Sequence, residues 1–424
     1  MVITIVIDMF GDPNNGTTVT GMRTAKKLRE LGNEVRIIAF ISPKTDPKDL
    51  EGFKVLSCRP LWLNKLPVVA ANGFSFGTAD DKEIADFIRG SDVVHLMFPF
   101  WLENRTRLIA KAMGIPVTSA YHLQPDNVSF NLHLGHCQLV NDLIYHLFSQ
   151  WLYRYTRTVH TPSETMKNLM LSHHYRNDIH AISNGVVSRF VAMESEKPEA
   201  LKDKYIILMV GRLSGEKRQD LIIKAVGHSK YNAKIQVILC GQGPRRKYYE
   251  KLSRKYLKNQ VIFEFVNQND LLKIVNYTDL YIHASDAESE AIAAIEAFSC
   301  GIVPVISDSK ASATNHFALD SRCLFRAGDY HSLSDRIEYF YDHPEVIREL
   351  SPKYREYGKT FAIDGKVEAL QNMMKLEIER DQEDKKLGRT YFSSMKERRR
   401  LRAVAKKIGL EHPFIFKKDV YHSK

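Results

Sequence analysis

Glu288 and Glu296 are separated by seven residues in the segment Ser285-Asp286-Ala287-Glu288-Ser289-Glu290-Ala291, which runs on through Glu296 to Gly301-Ile302-Val303-Pro304. On one continuous helix, eight steps of about 100° leave two side chains roughly 80° apart, so these carboxylates do not share a face. The better reading puts Glu288 on a strand-to-helix loop and Glu296 two turns inside the helix. The helix N-terminus between them offers free N–H groups and positive dipole, a seat for a diphosphate. Taken alone the spacing is weak, and it also describes two exposed helix acids.

A second segment adds cations. Arg212 and Lys217 lie in Val210-Gly211-Arg212-Leu213-Ser214-Gly215-Glu216-Lys217, a glycine-containing strand–loop–helix corner. An arginine fork and a lysine point charge there suit phosphate oxygens, although a basic surface loop reads the same way. Gly241-Gln242-Gly243-Pro244 closes another strand, and turn chemistry alone explains it. Nearer the start, Gly11-Asp12-Pro13-Asn14-Asn15-Gly16 follows a strand-like run, and His122 follows another ending near Ala120. His122 suits a sugar hydroxyl or the charge on a leaving phosphate, while His133, His136 and His146 read as ordinary loop or helix residues. No two aspartates are two positions apart, so the D-x-D pattern is absent. No metal or other cofactor is expected.

These residues need elements to hold them. Apolar strand-like runs at Ile3–Ile7, Glu34–Phe40, Val93–Met97, Pro116–Ala120, Thr158–Thr161 and Ile179–Ile182 alternate with helical patterns, one from about Thr20 to Leu31 ahead of Gly32. The pattern restarts at Tyr205–Val210, with further strands at Ile235–Leu239, Gln260–Phe265, Leu280–His283 and Val303–Ile306. That predicts an α/β protein of two doubly wound sheets with ligands at the strand carboxyl ends and a cleft between the two. The expected domains are 1–190, 200–376 and a basic extension over 377–424. Leu139, Val140, Leu143, Ile144, Leu147, Phe148, Trp151, Leu152 and Tyr155 form a broad apolar stripe. It reads first as a core helix and second as the wall of a lipid groove.

Composition narrows the class. The 424 residues are 44% hydrophobic and 26% charged, which rules out fibrous and wholly disordered readings. Mean hydropathy is −0.30, and no run of about 18 apolar residues marks a spanning helix. The opening MVITIVIDMF lacks a leading Lys or Arg and reads as a buried strand rather than a signal peptide. Five cysteines without a C-x-x-C pair point to a reducing cytoplasm. Thirteen basic and three acidic residues fall in 385–424, a net of +10 out of the chain's +11. Such a segment reads as a solvated end, as a cationic amphipathic helix on anionic lipid with Leu401, Val404 and Ile408 at helical spacing, or as a nucleic-acid tail. The last is the weakest, since the body has no basic stripe or nucleic-acid motif, and no nucleic-acid partner is expected.

In order over about residues 1–375, these segments resemble glycosyltransferase family 4: retaining, GT-B-fold enzymes using nucleotide-sugars. The match takes in the first glycine loop, the His122 strand end, Ser183-Asn184-Gly185-Val186, Val210-Gly211-Arg212 with Glu216-Lys217, Gly241-x-Gly243, and the E-x7-E helix with Gly301-x-x-Pro304. The resemblance implies that Arg212 and Lys217 bind the donor diphosphate. It implies that Glu288 faces the anomeric carbon, Glu296 holds the ribose, His122 lies near the transferred sugar, and Gly16 lets the first loop approach it. Where the family has Glu-Gly-Phe-Gly, this chain has Glu288-Ser289-Glu290-Ala291. Ser289 and Glu290 then keep backbone contacts to the donor but add side chains and a negative charge.

The expectation is therefore a hexosyltransferase moving glucose or galactose from a UDP-sugar with retention, its leaving diphosphate stabilised by fixed cations. The basic segment and the apolar residues Leu61, Trp62, Leu63, Leu66, Phe74 and Phe76 suggest a lipid acceptor such as diacylglycerol or ceramide. They also suggest a peripheral position on the inner face of the cell membrane. Alternatives are a transferase of capsular polysaccharide, O-antigen or other glycan assembly, and an accessory protein keeping the fold without transfer.

Overall fold

The computed structural model describes residues 1–11, 16–43, 45–65, 75–126, 129, 137–391, 394–415 and 418–419. Asp12–Asn15 of the first loop, Leu66, Phe74, His133, His136 and Lys424 lie outside them. The chain divides into two compact units. Met1–Leu123, Leu139–Asn184 and Asp364–Lys424 form the first, and Gln124–Gln138 with Gly185–Ile363 the second.

The first unit carries seven parallel strands: β1 (Val2–Phe10), β2 (Glu34–Ile41), β3 (Lys54–Ser57), β4 (Val93–Leu96), β5 (Val117–Ala120), β6 (Thr158–Thr161) and β7 (Asp178–Ala181). Their order is β3-β2-β1-β4-β5-β6-β7. β1 is buried from Ile3 onward, because a parallel sheet is covered on both faces and its central strands read as unbroken apolar runs. Helix α1 (Gly16–Glu30) starts four residues before the position expected from Gly, Thr and Val, which are weak helix formers. Tertiary contact overrides that preference: Thr18 is buried and its Oγ1 donates to the Met9 carbonyl at 3.3 Å. Helix α2 (Trp101–Ala112) is buried along most of its length.

Helix α3 (Gln138–Trp151) differs from its expected place in the core. Only Asn141 and Tyr145 are buried, while Leu139, Leu143 and Leu147 are 79%, 56% and 52% exposed. The expected stripe is therefore split: Phe148 and Trp151 pack against the core of the first unit and Leu152 and Tyr155 are buried just beyond the helix, while Leu139, Leu143 and Leu147 form an outward ridge.

The second unit repeats the plan with β8 (Tyr205–Val210), β9 (Ile235–Cys240), β10 (Ile262–Glu264), β11 (Leu280–His283), β12 (Pro304–Ser307) and β13 (Leu324–Phe325). All are parallel, in the order β10-β9-β8-β11-β12-β13. Helices α4 (Gln219–His228) and α5 (Ile292–Ser299) follow β8 and β11.

The C-terminal segment corrects the expectation of a separate extension. Helix α6 (Ile363–Lys386) crosses the expected boundary at 376 without a break and belongs to the first unit from Asp364. Its Glu377 accepts a hydrogen bond from Thr158 Oγ1 at 2.6 Å, and its Asp384 pairs with Arg157. Helix α7 (Met395–Lys407) is neither a solvated end nor a helix free to lay Leu401, Val404 and Ile408 in lipid. Leu401, Val404 and Ala405 are buried in the core of the first unit, with Ile408 packed against it. The reason is a partner within the chain: α7 lies against α2, and the fully buried Glu397 pairs with the fully buried Arg107. The opposite face of α7 keeps Lys396, Arg399, Arg402 and Lys406 exposed.

Candidate active site

In each sheet the strand order reverses at one point, between β1 and β4 and between β8 and β11. Open α/β sheets bind ligands beside such points, at the strand carboxyl ends. The loop leaving β8 carries Gly211-Arg212 and the loop leaving β11 carries Asp286–Glu288, so the second unit brings both sequence segments to its own reversal point.

Three contacts staple these loops. Asp286 N–H donates to the Glu216 carbonyl at 2.8 Å, Arg218 Nη1 donates to Asp286 Oδ2 at 2.9 Å, and Lys217 Nζ is in direct contact with Glu288 Oε2. Arg218 reaches its position through a left-handed backbone (φ 54°) at the start of α4. Gln219 Nε2 fixes the Arg212 carbonyl at 2.8 Å. The glycines of Gly241-Gln242-Gly243 have a packing role. A Cβ on Gly241 would lie 2.0 Å from the Gly211 carbonyl oxygen, and one on Gly243 2.3 Å from that of Leu213.

Glu288 lies ahead of α5 and Glu296 inside it, as the spacing predicts. Ala291 stands just before α5 with φ 63° and ψ 64°, a left-handed conformation at the position of the family's second glycine. Ser289 is half-buried. Glu290 and Glu296 are both buried.

Burial alone would raise the Glu288 carboxyl, but Lys217 and then His283 outweigh it and hold it down at about 2. His283 ends β11, is 1% exposed, and faces Glu288 Oε2 through Nε2 at 3.5 Å. His283, Arg218 and Asp286 were not picked out from the sequence. A histidine closing the apolar run Leu280-Tyr281-Ile282 was the available signal.

Two expected residues fall in the first unit. His122 follows β5, is 8% exposed, and meets His160 edge to face at 5.1 Å between ring centroids. Burial, with His160 and His95 nearby, holds its pKa well below the usual imidazole range, so it is neutral. Gly16 opens α1, is exposed, and has no heavy atom within 4 Å of a Cβ built on it. Gln124, two residues after His122, belongs to the second unit: its Nε2 donates to the Ala311 carbonyl at 2.9 Å, and Ala313 N–H donates to the Glu288 carbonyl at 2.8 Å. A cavity of about 680 Å³ lies elsewhere, toward the amino ends of β8, β11 and β12, lined by residues including Tyr205, Asp279, Val303 and Tyr341. Among the described residues no group of three or more His, Cys, Asp or Glu is placed to hold a metal ion.

Residues 192–361 match the family model of Glycosyl transferases group 1, and residues 14–189 that of Glycosyltransferase Family 4. A GDP-mannose-dependent alpha-mannosyltransferase of Corynebacterium glutamicum is 24% identical over 328 residues, 71% of each chain. The catalytic domain of the cholesterol-alpha-glucosyltransferase from Helicobacter pylori is 42% identical, over 37% of this chain and 99% of its own, with a TM-score of 0.36. HepE of Anabaena, solved with UDP and glucose, is 16% identical over 88% of this chain and 99% of its own, with a TM-score of 0.67.

Proposed function

We propose that this chain, which belongs to the GT-B glycosyltransferases of the family 4 type, transfers a hexose from a UDP-sugar to a membrane lipid with retention at the anomeric carbon. The observation that carries the reading is the Lys217–Glu288 contact at the strand-order reversal of the second unit, one loop before a helix N-terminus. Lys217, Arg212 and the free N–H groups of α5 stabilise the diphosphate as its charge grows, while Glu288 meets the sugar. The sugar–diphosphate C–O bond breaks, the acceptor hydroxyl oxygen takes the anomeric carbon, and its proton leaves with the diphosphate. No nucleophile on the protein is required.

HepE, solved with UDP and glucose, supports the uridine nucleotide, and the Corynebacterium relative makes GDP-mannose the competitor to test. Two features of the first unit support a lipid acceptor. The ridge Leu139–Leu143–Leu147 is exposed, as are Trp62 at 67% and Trp101 at 51%. The outer face of α7 is cationic, and a cationic face draws anionic lipid at about 1 kcal/mol per charge near a surface. Among the described residues no helix is long and apolar enough to cross a membrane, and the reading places the protein peripherally on the cytoplasmic face.

The test is a donor panel of UDP-glucose, UDP-galactose and GDP-mannose against vesicles carrying diacylglycerol, ceramide or a sterol, with products separated by thin-layer chromatography. A labelled lipid from a UDP-sugar is the expected result. Transfer from GDP-mannose alone sinks the donor assignment, and a product found only in the aqueous phase sinks the lipid acceptor.

A further inference from the structure

Glu288 contacts Lys217 directly and has His283 Nε2, a buried nitrogen with no hydrogen-bond partner among the described residues, 3.5 Å away; the function above uses only the first. Lys217 cannot bind phosphate oxygens and remain wholly committed to Glu288. A carboxylate of low exposure that loses its cation needs another donor, because an unpaired buried charge is costly. His283 is in position to supply one.

The chemistry sets its tautomer. A carboxylate only accepts, so the ring nitrogen facing it must carry the proton. That nitrogen is Nε2, 3.5 Å from Glu288 Oε2. Nδ1 is then a lone pair, and Tyr281 Oη lies 3.4 Å from it. Tyr281 and His283 are two apart on β11, hence on one face of the sheet, with their rings nearly parallel at 20° and 6.2 Å between centroids. Tyr281 is fully buried and His283 nearly so, which leaves little water to compete at either nitrogen.

We propose that His283 is a positioning residue: Tyr281 O–H donates to Nδ1, Nε2–H donates to Glu288, and this pair holds Glu288 ionised and in place when Lys217 turns to the donor diphosphate. The inference rests on the donor-site reading. The charged groups around the pair are Lys217 from the loop before α4, Glu296 of α5 acting on Tyr281, and the neighbouring Arg218–Asp286 pair. Burial holds the His283 pKa below the ordinary imidazole range, so the ring donates as a neutral group.

The experiment uses full-length protein and whichever of UDP-glucose, UDP-galactose or GDP-mannose the wild type turns over. His283→Leu should lower kcat about tenfold or more, the scale of one hydrogen bond to a charged group, with donor KM changed less than about threefold. Glu288 then titrates higher, so the acid limb of the kcat profile moves up by about one pH unit. His283→Gln, which keeps an amide N–H toward Glu288, should restore most of both. Wild-type kcat and an unmoved acid limb in folded His283→Leu overturn the proposal. The wild type tests it too: with UDP bound, long-range 1H–15N spectra of histidine-labelled protein should show Nε2 protonated and Nδ1 bare at His283. The opposite tautomer overturns the proposal whether or not the leucine variant folds. Glu288→Ala run in parallel separates the two levels. If it is inert while His283→Leu is unaffected, only this inference fails; if it keeps full turnover, the donor-site reading fails first.

Discussion

Lys217 and Glu288 touch, and each holds the other where neither would stay alone. Glu288→Ala should lower turnover by about 10²–10⁴-fold. UDP affinity, measured by calorimetry, should stay within about tenfold, because in the proposed function the carboxylate faces the sugar and not the nucleotide. The depressed carboxyl also sets a pH window: the pair's stabilising contribution is complete above the ordinary value of 4.5 and is lost as pH falls toward about 2. Ala291 offers a test on the same loop. An L-residue in the left-handed region costs roughly 1–2 kcal/mol, part of which glycine recovers before its extra unfolded-state freedom is counted. Ala291→Gly should therefore raise the urea midpoint by about 0.5 kcal/mol of stability. A lower midpoint would show that the Ala291 methyl packs well enough to outweigh its backbone cost.

At the scale of elements, the α2–α7 seam is held by a charge pair that no water reaches. Removing one partner from such a pair costs about 3–5 kcal/mol. Arg107→Ala should lose that much in denaturant melts, while Arg107→Met combined with Glu397→Leu should lose far less. A second seam joins β1 to α2. Asp8 and Glu103 are both fully buried, and Asp8 Oδ1 accepts from Gly77 N–H at 3.0 Å. Burial raises Asp8 to about 6 and Glu103 well above the carboxylate range. The unfolded state therefore releases these protons first, and the contribution of Asp8 to stability falls as pH rises from about 4 to about 6. Asp8→Asn should flatten that fall, read as melting temperature against pH. These seams also mark where the sequence could be read and where it could not. The central strands were legible because burial on both faces leaves unbroken apolar runs. β3, with Lys54 and Ser57 at its ends, and the two-residue β13 gave no such run. The apolar stripes of α3 and α7 were visible, but a stripe does not say what covers it. α7 found a groove in its own chain, and α3 keeps its leucines exposed. At the candidate site Arg212, Lys217 and Glu288 were legible from type and spacing, whereas His283 needed a third dimension to meet Glu288.

At the scale of the whole molecule, the net charge of +11 has structural consequences of two kinds. The C-terminal segment supplies the buried acids Asp384 and Glu397 to Arg157 and Arg107, and removing it removes core. The surface charge is tested by reversing Lys396, Arg399, Arg402 and Lys406 to glutamate. That variant should keep its melting temperature and lose flotation with anionic vesicles, the wild-type flotation itself weakening as salt rises. Unchanged flotation would move the membrane contact to the ridge of α3. The chain route of the first unit has a further consequence for synthesis. Its sheet is complete by Ala181, yet Leu401 and Val404, which its core needs, come more than two hundred residues later. At about 5–20 residues per second, a ribosome spends roughly ten seconds or more between the two. Throughout that interval α2 waits with an uncovered apolar face and a buried arginine lacking its acid, a natural client for a chaperone, while the second unit is translated in full before the first can close.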